Sequence, residues 1–170
     1  DNIMDEIFDF AMKMEQDGKA YYEKEAAKTN LPALKKILLS LAEDETRHYN
    51  IFKSLKEKHT TQLDDLSEKA TAIMKTARNV FEDMAKENVD VDTRKEAIEI
   101  WNHAQEVEKK SEDFYRLKAD EVPDQDAKRM LHKIADEEAK HWAVIESVRQ
   151  FLERPKTWLE DAEWSNLEDY

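Results

Sequence analysis

The sequence predicts an all-α fold, a bundle of four long helices with a long connection between the second and the third. Three observations carry this. First, the 170 residues include one Gly and three Pro, 39% are charged, and Leu, Ala, Glu and Lys are prominent. That is a composition of long helices rather than of strands. Second, four segments repeat apolar residues at the three- and four-residue spacing of an amphipathic helix. Third, the second half repeats the first at an offset of 93 residues: Ala11/Ala104, Ala26/Ala119, Leu38/Leu131, Ala42/Ala135 and Leu55/Val148.

The first segment, residues 2–28, offers Phe8, Ala11, Glu15, Gly18 and Tyr22 on one face. The second runs over 32–58, where Pro32 suits a first helical position. Its face is Leu34, Leu38 and Leu41, then Glu45 and His48, then Phe52 and Leu55. The third covers 92–119, with Asp92 or Thr93 as cap, and shows Ala97, Trp101, Ala104, Glu108, Ser111 and Tyr115. The fourth starts near Pro123 and Asp124 and ends before Pro155, with Ala127, Leu131, Ile134, Glu138, His141, Ile145, Val148 and Leu152. Each rod is roughly 40 Å long. The first–second and third–fourth connections are short, so those helices are antiparallel neighbours.

Residues 59–91 are too many for a turn and fit a crossover along the bundle. Within them, 68–86 carry a helical pattern of their own in Ile73, Ala77, Val80, Phe81 and Met84. The expected organisation is one bundle domain over 1–153 and a tail over 154–170. The tail holds Trp158, Leu159, Trp164 and Leu167, so it is expected to pack on the bundle or on a partner chain. A homodimer is the expected assembly.

The net charge of −13 argues against nucleic acid and anionic membrane as partners. No apolar run is long enough to span a bilayer. The absence of cysteine rules out disulfides, thiolate metal sites and iron–sulfur centres. Residues 1–6 lack the basic and apolar regions of a signal peptide, and the cytoplasm is the expected compartment.

The chemistry sits where the apolar faces are interrupted. Glu45-x-x-His48 and Glu138-x-x-His141 are 93 residues apart, as are Glu15 and Glu108, and Tyr22 and Tyr115. All four glutamates fall on core-facing seams at one phase. A buried unpaired carboxylate costs several kcal/mol, and four at one level repel one another. Bound cations, or protonation of most of the carboxylates, make the arrangement tolerable. Two divalent ions would balance four carboxylates, with His48 and His141 completing a dinuclear site.

The surrounding residues have two readings each. Tyr22 and Tyr115 are core aromatics, or their hydroxyls bond the carboxylates of the opposite half, Tyr22 to Glu108 and Tyr115 to Glu15. Asp44 and Glu137 are solvated, or accept from the metal-distal nitrogen of the opposite histidine. Gly18, the only glycine, reflects close helix packing or an opening beside the metals for a small ligand. Ser111 is its small counterpart in the third helix. His59, His103 and His132 read as surface or boundary residues.

The chain resembles rubrerythrin-type, ferritin-like diiron proteins. The resemblance covers about residues 3–153. It rests on Met14-Glu15-Gln16-Asp17-Gly18 with Tyr21-Tyr22, on both Glu-x-x-His segments, and on Glu108 with Phe114-Tyr115. It implies two iron ions, with manganese or a mixed pair as alternatives. It makes Glu15 and Glu108 terminal ligands, Glu45 and Glu138 bridging ligands, and gives one histidine to each metal. The activity it implies is reduction of peroxide or dioxygen. Two departures qualify that. Rubrerythrins proper carry a cysteine-rich electron-delivering domain, so here the donor would be a separate protein. They also carry an extra Glu three residues after the third-helix ligand, where this chain has Ser111. Iron oxidation and handling, or sensing of iron or oxygen, is the alternative function, and a purely structural metal site is a third.

Overall fold

The computed structural model describes residues 2–57, Val80 and 91–153. Four helices fill these stretches: α1 Asn2–Lys28, α2 Pro32–Lys56, α3 Val91–Glu121 and α4 Gln125–Glu153. The expected all-α bundle is the observed fold. The expected crossover helix over 68–86 lies outside the described residues apart from Val80, which is helical and buried in the core. The tail over 154–170, with its two Trp, lies outside them altogether.

Helix ends follow local chemistry. Pro32 opens α2 after Leu31 in extended conformation, and its missing N–H is no loss at a helix start. Asp124 caps α4, its carboxylate accepting the Ala127 N–H at 3.3 Å. Asp92 and Thr93, the expected caps of α3, lie among its helical residues.

α1 packs along α2 and α3 along α4 at close backbone range, and the two pairs meet more sparsely. Pairings across the seams show the directions. Tyr21 bonds the Ile100 carbonyl while Phe10 packs at a tilt against Phe114, so α1 and α3 are antiparallel. Asp44 meets His141 while His48 meets Glu137, so α2 and α4 are antiparallel. The apolar core falls into two clusters. One gathers Leu34, Leu38, Leu41, Trp101, Val144 and Val148. The other gathers Phe8, Ala11, Phe52, Leu131 and Ile134. Between them lies a buried polar layer: Glu15, Glu45, His48, Glu108, Glu138 and His141. Burying those groups at mid-bundle needs a compensating partner, and the apolar clusters above and below keep water from supplying it.

Candidate metal centre

Each helix delivers its polar residues from the same seam that carries its core side chains. In α2, Glu45 and His48 are one turn apart and share a face; in α4, Glu138 and His141 do the same. Glu15 and Glu108 enter from α1 and α3. The result is two groups of four side chains, Glu15, Glu45, His48 and Glu138 in one, and Glu45, Glu108, Glu138 and His141 in the other. Within each group the ligand atoms all lie within 4.8 Å of one another. Glu45 and Glu138 belong to both. The two imidazoles lie nearly parallel, 18° apart with ring centroids at 5.9 Å.

The atoms facing inward lack partners. Of nine buried side-chain polar atoms without a hydrogen bond among the described residues, seven belong to this layer. They are Glu15 Oε2, Glu45 Oε1, Glu108 Oε2, both oxygens of Glu138, and Nδ1 of His48 and His141. His48 Nδ1 lies 2.9 Å from Glu138 Oε1 and 3.4 Å from Glu15 Oε2 without hydrogen-bond alignment. Buried polar groups are nearly always satisfied, so seven orphans converging on one space fit cations held between them. Oxygen and imidazole donors suit iron or manganese.

The outward-facing atoms of the histidines and of the outer glutamates are engaged. His48 Nε2 meets Glu137 at 3.1 Å, and His141 Nε2 meets Asp44 at 2.8 Å. Tyr22 donates to Glu108, and Tyr115 donates to Glu15 at 2.6 Å. Both tyrosines are fully buried. These contacts leave Nδ1 of each histidine and one oxygen of each outer glutamate turned to the centre. Gly18 backs onto Glu45: a Cβ there would lie 3.1 Å from Glu45 Oε2. The glycine is needed for the approach of that carboxylate rather than of another helix backbone. With Ser111 it also lines a cleft on the α1–α3 seam. His103 and His132 stand apart from the centre, at the surface and the boundary.

One participant was not foreseen in the sequence. Arg47 bridges Asp44 at 3.1 Å and both oxygens of Glu137, one of them at 3.2 Å. It thus ties together the two carboxylates that hold the two histidines. Its repeat counterpart is Lys140 (47 + 93), which forms no ion pair among the described residues. The available signals were Arg47 three residues after Asp44 and the break in the repeat. A third close grouping, Asp44, Glu137 and His141, is the one Arg47 already neutralises.

Without cations, the crowding of buried carboxylates favours the protonated forms of Glu45, Glu138 and both histidines. Burial and the neighbouring carboxylates push Glu45 and Glu138 well above the usual range. Burial opposes charge on His48, but Glu15 and Glu137 outweigh it and raise the group to about 10. His141 is raised likewise, against burial, by Glu108 and Asp44. Asp44 is held down at about 2 despite its burial, by the His141 hydrogen bond and nearby positive charge.

Fold and side chains together define a helical bundle with a buried carboxylate–histidine centre fit for metal. Residues 6–148 match the family Rubrerythrin. The chain belongs to the rubrerythrin family, whose members are diiron proteins with chemistry related to peroxide or oxygen. No curated protein and no solved structure matches the chain. Among the described residues no helix is long and apolar enough to cross a membrane.

Proposed function

We propose that the protein is a non-haem diiron oxidoreductase that reduces peroxide or dioxygen with electrons from a separate donor protein. The carrying observation is the pair of four-residue groups sharing Glu45 and Glu138, with seven unpaired polar atoms facing inward. Glu15 and His48 would hold one ion, Glu108 and His141 the other, and Glu45 and Glu138 both. When bound, the metal pair supplies two electrons and the positive charge that stabilises cleaved oxygens.

The remaining work falls to the chain. Asp44 and Glu137 keep a proton on Nε2 of the histidines, which leaves Nδ1 free to ligate. Tyr22 and Tyr115 fix the outer carboxylates by their hydroxyl protons. The apolar clusters exclude bulk water from above and below. Reduction of hydrogen peroxide consumes two electrons and two protons, breaks the O–O bond and yields two waters. The test is anaerobic reduction of the metal-loaded protein followed by one equivalent of peroxide. Oxidation of the metal pair with loss of the peroxide supports the reading, and a reduced protein indifferent to peroxide and to dioxygen rejects it.

A second reading, iron oxidation and handling, is favoured by Ser111. It is buried one turn from Glu108 and offers no carboxylate for exchange at the metal. Light scattering separates the two: storage requires a closed shell of many subunits, whereas the oxidoreductase reading expects a homodimer.

A further inference from the structure

A cleft of about 270 Å³ opens on the outer face of the α1–α3 seam. Its lining is graded. Asp17, His103 and Lys110 stand exposed at the mouth, and the side chains of Met14, Tyr21 and Val107 form half-buried walls. Buried Gly18 and Ser111 make the floor. Gly18 lines the cleft and also backs onto the Glu45 carboxylate, since a Cβ there would lie 3.1 Å from Oε2. Ser111 stands one turn from Glu108 and presents only a hydroxyl. The floor therefore abuts a carboxylate shared by both four-residue groups and the helix turn that carries another.

The cleft is larger than hydrogen peroxide requires. A water occupies about 30 Å³ of liquid, so the space holds on the order of nine. The walls are a thioether, an aromatic ring and an aliphatic side chain, which suit an apolar body. The mouth carries a cation, Lys110, and an anion, Asp17, which faces Lys13 at 3.5 Å, and the chain as a whole carries −13. The chain's overall negative charge opposes an anionic ligand, and a neutral one loses nothing.

We propose that this cleft binds a small neutral organic hydroperoxide. The alkyl or aryl body lies on Met14, Tyr21 and Val107, and the O–O end turns toward Gly18 and Ser111. This rests on the oxidoreductase reading. A bound, reduced metal pair would supply two electrons there, and with two protons from solvent the O–O bond would break. The products are the corresponding alcohol and one water, and the external donor protein restores the two electrons.

The test has a binding arm and a kinetic arm. In zinc-loaded and in metal-free protein, the Met14 methyl resonance is followed on adding 2-phenyl-2-propanol, the alcohol product of cumene hydroperoxide. A saturable shift is expected in both forms, weakened roughly tenfold or more in Val107→Trp, the scale on which an apolar pocket discriminates. In the iron-loaded protein, Val107→Trp should lower the kcat/KM ratio of cumene hydroperoxide to hydrogen peroxide by a similar factor. Met14→Phe is a second wall variant should the first fold poorly. Absence of a saturable shift, or equal loss for both peroxides, overturns the proposal. A shift that persists in a protein reducing no peroxide at all overturns the oxidoreductase reading and the hydroperoxide assignment with it. Turnover of hydrogen peroxide without any shift overturns only the cleft.

Discussion

Replacing Arg47 with methionine keeps the length of the stem and removes the guanidinium that spans Asp44 and Glu137. Its side chain is 11% exposed, and those of Asp44 and Glu137 are 10% and 4% exposed. Removing one partner of a buried ion pair costs roughly 3–5 kcal/mol because the other is stranded. Here two carboxylates lose a partner, but each keeps a histidine Nε2, so the lower end, about 3 kcal/mol, applies. For a chain of this size that is a fall in Tm of about 6–12 °C. Metal affinity should fall too, by about 10- to 100-fold, the usual effect of disturbing residues that orient metal ligands. It should fall for both ions, because Asp44 steadies His141 and Glu137 steadies His48. Thermal unfolding of the metal-free protein and metal titration of wild type and Arg47→Met measure the two effects. Lys140→Met, the counterpart in the repeat, should stay within about 0.5 kcal/mol of wild type. An Arg47→Met protein that melts within about 1 °C of wild type and binds metal as tightly would refute the bridging argument.

Three further outcomes are expected. In the metal-free fold His48 is raised to about 10, and His141, Glu45 and Glu138 are raised as well; loading must displace whatever protons these groups hold, and calorimetry in buffers of different ionisation enthalpy should detect proton release and tighter binding as pH rises. For His48 the folded value of about 10 exceeds the ordinary 6.5, so its contribution is complete below 6.5 and lost as pH rises through 10; Asp44, at about 2, acts oppositely and loses its contribution as pH falls through that value, so metal-free protein should melt higher at mildly acidic pH than at pH near 9. Gly18→Ala should split stability from binding: the helix gains up to about 1 kcal/mol in propensity, while the new Cβ displaces Glu45 and weakens metal binding, and unchanged or tighter binding would contradict the contact. Ser111→Glu should place a carboxylate one turn from Glu108, with the adjoining cleft giving room for the added volume, and stopped-flow should show faster peroxide reduction than wild type with the same donor; an equal or slower rate counts against it.

Much of the fold was legible because the repeat is written in helical period. The seam residues named in each helix, from Phe8 to Leu152, are nearly all in the core, since four long uninterrupted patterns admit few other packings. The convergence of Glu15, Glu45, Glu108 and Glu138 was legible for the same reason: they interrupt those seams at one phase. Cross-helix contacts were harder. The tyrosine–glutamate pairs followed from the two-fold repeat, but Asp44 and Glu137 sit beside the seam, and only the rotation of α2 against α4 decides whether they reach a histidine. Arg47 was missed because a seam pattern says nothing of long polar side chains that lie across an interface. Gly18 was seen as unusual, yet its closeness to Glu45 depends on the height of α1 against α2, which spacing along one helix does not fix.

The central claim is that the buried layer holds a pair of metal ions through shared carboxylates. Anaerobic titration of the metal-free protein with ferrous iron, read by elemental analysis after removal of free metal, tests it directly. The account predicts about two ions per chain in wild type and a strong loss of both ions in Glu45→Ala and in Glu138→Ala, because each of these side chains faces both positions. Wild type that retains no iron, or retains the same amount as both variants, would contradict it.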